Sequence, residues 1–345
     1  MSQRAPGGTR IGLRHGAGGP AMRALVESLV AAGQRADGPD RIGLGALDDG
    51  AALRVGERWL VFTTDSHVVK PVFFPGGDIG RLAVSGTVND LAMMGATEPL
   101  GLSCSVILEE GFEREDLERI QASIDATCRE AGTCVLTGDT KVMGRGELDG
   151  VVLNTAGIGF AERPVRDDGL RPGDRILLTG TLGDHGLAVM ARRHDLGLGE
   201  ELCSDVAPLN GLVRAALAAG GEAVVAMKDP TRGGVASALH EMAAKSGVGV
   251  VLQEGELPVR PAVRAAAELL GLDPLQVANE GKALLGVRPE TAKRVLEALQ
   301  AHPLGRDARC IGACTAERAG SVILDTGFGR RLVAEADGEL LPRIC

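Results

Sequence analysis

Tyrosine is missing from the chain, tryptophan occurs once, at Trp59, and aromatic residues make up only 2% of 345 positions. So few rings leave little to stack nucleic-acid bases on, and the core must be assembled from Ala, Val, Leu and Ile. An excess of positive charge is missing too: 37 Lys and Arg stand against 46 Asp and Glu, a net charge of -9. A polyanion binder needs a basic face, so nucleic acid is not expected as a partner. A phosphate ligand should instead be held by backbone amides, a few cations and a metal bridging carboxylates. No segment approaches the roughly 18 apolar residues of a membrane helix, and the opening stretch, Met1 to Arg14, carries Arg without an apolar run. A soluble, unprocessed protein with no membrane partner is expected. The 7 cysteines, at 104, 128, 134, 203, 310, 314 and 345, are odd in number and irregular in spacing. That excludes a regular disulfide framework and fits a reducing cytoplasm. Cys310 and Cys314 form a C-x3-C, with no nearby His or second pair to complete a zinc tetrahedron.

What is present is ample apolar material, 44% of the residues, in a chain too long for one ordinary core. After a Gly-rich opening up to about Gly38, strand-like and helix-like segments alternate, the rhythm of an α/β protein. Val61 to Thr64 reads as a strand ending at Asp65, Arg81 to Met94 as a helix, and Leu102 to Leu108 as a strand. Leu117, Ile120, Ile124 and Cys128 recur at helical spacing and should lay one stripe on a sheet. Val135-Leu136 leads into Thr137-Gly138-Asp139-Thr140-Lys141, and Val151 to Phe160 is another strand. The charged, Pro-containing stretch from Glu162 to Gly169 breaks the pattern and marks a domain boundary. The expected division is residues 1–162, residues 163–335, and a tail of residues 336–345. Beyond the boundary, Arg175 to Leu178 and Val248 to Leu252 read as strands, Pro230 to Gly234 opens a helix, and Pro289 to Ala301 is a helix.

One pattern recurs, an Asp at an element end beside Gly or Thr: Asp48-Asp49-Gly50, Thr64-Asp65, Asn89-Asp90, Gly138-Asp139-Thr140-Lys141, Gly183-Asp184-His185-Gly186 and Asp229-Pro230-Thr231-Arg232. Each alone is an ordinary turn or helix cap. Gathered on one sheet edge, they could hold Mg²⁺, leaving Lys141 and Arg232 to meet phosphate oxygens. The loop His15-Gly16-Ala17-Gly18-Gly19 could close its amides over phosphates, although it matches neither standard Gly-rich phosphate signature. The chain finishes Leu341-Pro342-Arg343-Ile344-Cys345. A thiol on such an arm can visit more than one site and act as a carrier.

These motifs, with Phe73-Phe74-Pro75-Gly76-Gly77-Asp78, Asn279-Glu280-Gly281-Lys282 and the Pro-Arg-Ile-Cys ending, run through almost the whole chain. Together they resemble the HypE family of hydrogenase maturation proteins, within the superfamily of aminoimidazole ribonucleotide synthetase, selenophosphate synthetase and thiamine-monophosphate kinase. The resemblance implies a two-domain PurM-like α/β fold, with an N-terminal domain that pairs in a homodimer barrel, a C-terminal α/β domain and a flexible tail. It implies ATP in the cleft between domains, near the dimer interface. Cys345 would receive a carbamoyl group from a HypF carbamoyltransferase, and ATP would activate the resulting thiocarboxamide for dehydration to thiocyanate. The cyano group would then pass to iron on a HypC–HypD complex. On this reading Asp48, Asp65, Asp90 and Asp139 face the metal and phosphates. His15, Gly16, Gly18, Gly19, Thr140, Lys141 and Arg232 lie at the phosphates, and Asn89 and Asp229 near the nucleotide. Glu280 and His185 are both candidates for the base that removes the amide protons.

A selenophosphate synthetase would need a reactive Cys near the glycine loop, and residues 1–100 contain none. A small-molecule kinase has no use for a terminal thiol. A scaffold without enzymatic activity would turn over no nucleotide.

Overall fold

The computed structural model describes residues 10–32, 37–197, 201–335 and 344–345. Much of the tail expected to act as a tether, residues 336–343, lies outside the described residues. The N-terminal half is a six-stranded sheet built from β1 (Arg41–Ile42), β2 (Ala51–Val55), β3 (Arg58–His67), β6 (Pro99–Glu109), β7 (Val135–Met143) and β8 (Val151–Ala161), in the order β1-β2-β3-β8-β6-β7. Only β6 and β7 run parallel. A short ribbon, β4 (Phe73–Phe74) and β5 (Gly77–Asp78), precedes helix α2 (Ile79–Met93).

Strand β8 alternates strictly between buried and half-buried residues, as the two-residue period of a sheet with one covered face requires. The covered face packs on α2 and on α3 (Arg114–Ala131), whose Ile120, Ile124 and Cys128 form the expected stripe. The other face leaves Phe62 half exposed, with Leu53 and Val55 nearby on β2. Helix α1 (Pro20–Ala32) arises inside the Gly-rich opening, where the sequence pattern suggested no element.

Helix α2 is buried nearly all round, including Gly80, Ser85, Gly86, Thr87 and Asn89. Small residues on every side let it sit between α3 of its own half and α5 (Asn210–Gly220) of the other. Asp78 caps it, accepting from the N–H groups of Gly80 and Arg81 at 2.7 and 3.1 Å.

The C-terminal half is a seven-stranded sheet ordered β10-β12-β9-β13-β11-β14-β15, parallel only between β11 and β14. Its strands are β9 (Arg175–Leu178), β10 (Val224–Lys228), β11 (Gly249–Gln253), β12 (Leu284–Val287), β13 (Arg309–Thr315), β14 (Val322–Asp325) and β15 (Arg330–Leu332). Helices α4 (Asp184–Arg193), α5, α6 (Gly234–Ser246), α7 (Pro261–Leu270) and α8 (Pro289–Ala301) complete it. Most strand pairs in both sheets are antiparallel, so the alternation of strands and helices along the sequence serves an α+β arrangement rather than a parallel core. Among the described residues no helix is long and apolar enough to cross a membrane.

Candidate active site

The two halves meet along a cleft into which strand ends and helix starts deliver acidic and basic side chains. From the N-terminal half come Asp49 in the turn before β2, Asp65 on β3 and Asp90 on α2. From the C-terminal half come Lys228 at the end of β10, Asp229 just after it, Arg232 before α6, and Glu280 before β12.

Asp90 accepts from the Thr63 hydroxyl at 2.8 Å. Burial raises its pKa well above the carboxylate range, and repulsion from Asp229, Asp65 and Asp49 adds to the effect. Burial likewise pushes Asp229 up to about 8, with Asp49 and Asp65 reinforcing the shift and Lys228 opposing it. This crowd of carboxylates is short of positive charge, the condition a divalent cation relieves. Among the described residues no three His, Cys, Asp or Glu side chains converge tightly enough to cage an ion.

Gly18 and Gly19 of the glycine loop do reach this place. Gly18 has φ +77°, and a Cβ there would lie 2.7 Å from the carbonyl oxygen of Arg232, so only glycine allows the approach. Gly19 backs onto Gly233, which precedes α6. His15 instead bonds back to Gly12 through its ring, and Gly16 is exposed.

Cys345, the last residue, lies in the same cleft. Its sulfur lies beside Arg232 and Glu280; burial pushes the thiol well above its ordinary range, against the opposing charge of Arg232 and with the Glu280 and Asp65 carboxylates adding to the rise. Glu280 is 4% exposed. Burial raises its pKa strongly, ahead of repulsion from Asp229, Asp65 and Asp205, while Arg232 works the other way. Its Oε1 has no hydrogen-bond partner, and its backbone N–H is held by Asp205 Oδ1 at 3.2 Å. Asp205 is fixed in turn by Lys282 at 3.2 Å.

Several expected residues stand elsewhere. Asp48 is not among the cleft carboxylates: it pairs with Arg166 at 3.1 Å, accepts from the Asp167 N–H at 3.3 Å and is 1% exposed at its side chain. Its neighbour Asp49, bound to Lys228 at 2.7 Å, faces Asp90 and Asp229 instead. Adjacent residues point opposite ways, and the pair Asp48-Asp49 gave no phase to choose by.

Asn89 spends its amide on the main chain, donating to Ala207 and Glu280 carbonyls at 3.2 and 3.3 Å and accepting from Leu209 N–H at 2.7 Å. It fastens the two halves together and offers nothing free to a nucleotide. Asp139, Thr140 and Lys141 are exposed on β7, an edge strand. Register carries Asp139 across Ser105 and Asn154 to Ser66, so it shares the open face with Ser66, whereas Asp65 points to the other face. Within one chain Asp139 and Lys141 therefore do not join Asp65.

His67, which the sequence did not single out, stands buried behind Asp65, its Nε2 3.5 Å from the carboxylate. The two-residue spacing on one strand was the available signal. Lys228 was likewise missed; a lysine closing a buried strand beside Asp229 could have marked it.

The descriptions "AIR synthase related protein, N-terminal domain" and "C-terminal domain" match residues 47–161 and 171–325. The carbamoyl dehydratase HypE of Rhizobium leguminosarum bv. viciae is 50% identical over 339 residues, covering 97% of this chain and 95% of the relative. The chain belongs to the HypE family. A solved structure of HypE in complex with ATP shares 42% identity at a TM-score of 0.80, covering 96% of this chain and 99% of that one. A chain of a solved HypE–HypF complex shares 42% identity at a TM-score of 0.83, covering 91% of this chain and 100% of that one. HypE relatives thus include an ATP-bound and a HypF-bound form, and several carry the activity name carbamoyl dehydratase.

Proposed function

We propose that this protein is an ATP-dependent carbamoyl dehydratase that works on its own terminus, converting an S-carboxamide on Cys345 into a thiocyanate. The observation that carries the reading is the Cys345 sulfur set between Arg232 and Glu280 at the edge of a carboxylate-rich cleft. An amide oxygen is a poor leaving group, and transfer of the γ-phosphoryl group of ATP converts it into a good one. Glu280 takes one proton from the amide nitrogen as the oxygen is phosphorylated. Loss of phosphate with the second N–H proton then leaves the C≡N triple bond, so ATP becomes ADP and the amide oxygen departs in phosphate. A raised pKa makes Glu280 a stronger base once ionised.

Asp65, Asp90 and Asp229, with Asp49 beside them, are the side chains that fit Mg²⁺. The ion would neutralise phosphate charge. Arg232 and the Gly18-Gly19 amides would hold the phosphates.

The N-terminal unit, residues 1–162, would form a homodimer through the open face of its sheet. The half-exposed Phe62, Leu53 and Val55 favour a covering partner there, and Lys141 of one copy would then serve ATP bound near the interface. HypF would be the carbamoyl donor and a HypC–HypD complex the cyano acceptor. A terminal thiol cycling through these states suits the reducing cytoplasm. The deciding experiment is the intact mass of the C-terminal peptide after incubation with HypF, carbamoyl donor and ATP. Loss of one water from carbamoylated Cys345, dependent on ATP, supports the reading. Modification confined to Cys104, Cys203 or Cys310 ends it.

A further inference from the structure

The terminal dipeptide is gripped by a residue that the proposed chemistry leaves unused. His185, second residue of α4, is fully buried, with Nε2 2.6 Å from the Ile344 carbonyl oxygen and Nδ1 2.8 Å from the Ser204 hydroxyl oxygen. A carbonyl only accepts, so Nε2 carries the hydrogen. In the neutral ring Nδ1 is then the acceptor, and Ser204 donates to it. Ser204 is itself fixed: its N–H donates to Pro75 O at 2.8 Å, and its hydroxyl oxygen accepts from Val206 N–H at 3.1 Å. Phe74 stands edge-on to the imidazole, ring centroids 5.3 Å apart at 89°. Burial keeps the ring neutral by lowering its pKa, against the opposing pull of Asp205 and the Ile344 carbonyl. Both ring nitrogens are committed, and neither has a lone pair left for a substrate proton.

We propose that His185, oriented by Ser204, is a positioning residue that docks the C-terminal arm by its Ile344 carbonyl and so presents the Cys345 sulfur to Arg232 and Glu280. The inference rests on the function proposed above. The Ile344 side chain adds a second point of attachment, being 5% exposed within the core cluster that also takes in Phe74 and Leu187. Main chain and side chain of residue 344 together set where the next residue falls. The docked sulfur is kept protonated beside Glu280, whereas a released thiol returns to the ordinary cysteine range and is the better nucleophile.

The test uses full-length wild-type protein, H185A, H185Q and S204A. Alkylation of Cys345 by iodoacetamide is followed by C-terminal peptide mass, with exposed Cys134 as internal reference. Dehydration of carbamoylated Cys345 is measured in parallel with ATP varied. H185A should alkylate Cys345 roughly three- to tenfold faster and lose a similar factor in kcat, with KM for ATP unchanged. H185Q, whose side-chain amide N–H reaches the same carbonyl, should recover most of both, and S204A should fall between. An unchanged alkylation rate in H185A overturns the proposal. So does a dehydration defect equal in H185A and H185Q with alkylation at the wild-type rate, the pattern of a proton-transfer role. If H185A fails to fold, H185Q and S204A still decide, because S204A alone should expose the thiol. If even the wild type does not dehydrate, the proposed function fails while the alkylation rates still settle the docking.

Discussion

At the scale of single residues, the two candidate bases differ in the hydrogen bonds each already makes. Glu280 and His185 both stood out as bases in the sequence. Only the spent nitrogens of His185 and the unpartnered Oε1 of Glu280 separate them. Glu280→Gln should bind ATP normally yet slow dehydration by at least about a hundredfold, as loss of a general base does; a near-normal rate would return the role to another group. Because the Glu280 pKa is raised by burial, its ionised form is lost on acidification before ordinary carboxylates titrate. The dehydration rate should therefore fall with decreasing pH from a point above the usual carboxylate range, measured in a pH series at saturating ATP. In the Asp48-Asp49 doublet the residue type was legible in the sequence and the direction of each side chain was not. Asp49→Asn should cut ATP turnover by at least about tenfold, and Asp48→Asn by far less; equal losses would deny the division drawn between them.

Elements were legible where a period was strong. The stripe on α3 and the alternation of β8 follow directly from residue spacing, because each packs one face on a core. Helix α2 was legible from its apolar run, but its burial on all sides was not, since that follows from a second half of the protein pressing on it. Helix α1 went unseen because glycines crowd its start. The glycine loop ahead of α1 gives a prediction of its own. Gly18→Ala would drive a methyl group into the Arg232 carbonyl at a positive φ, displacing the loop from α6. ATP affinity should weaken by about tenfold or more while thermal stability changes by only about 1 kcal/mol. Titration calorimetry with a non-hydrolysable ATP analogue checks it, and unchanged affinity would remove the loop from the nucleotide site.

For the whole molecule, the seam between halves is electrostatic as well as apolar. Asp48 shares a hydrogen bond with Asp167, and Lys245 closes on Asp167 at 2.7 Å while Arg166 holds Asp48. Burial, then the bond and charge of Asp167, push Asp48 up to about 7 against the opposing Lys245 and Arg166. A carboxyl whose folded pKa is raised contributes stability that is full below its unfolded value, near 3.8, and is lost as pH rises through about 7. Asp48→Asn keeps the hydrogen bond without the titration. Relative to this variant, the wild type should lose on the order of 1–2 kcal/mol of unfolding free energy between pH 5 and pH 8, read from urea titrations; parallel pH curves would refute it. Assembly was not legible from one sheet, because an open face and an edge strand say only that something covers them. If Lys141 acts across the dimer, a mixture of Lys141→Ala and Glu280→Gln proteins should regain about a quarter of wild-type turnover by forming mixed dimers with one intact site. No recovery on mixing would confine each site to one chain.

Trp59 lies on β3, with the Arg54 guanidinium 6.0 Å from its ring and the small cluster around Ala52 and Val61 beneath. With no tyrosine in the chain, this indole is the only side chain that responds to excitation at the red edge of the near-ultraviolet band, and at that wavelength the C-terminal half is dark. Fluorescence therefore reports the melting of one half alone, while circular dichroism sums over both. If the seam ties them into one cooperative unit, the two traces coincide. Cutting the seam at Asp167 should pull them apart, with the optical signal of the indole marking which half lets go last.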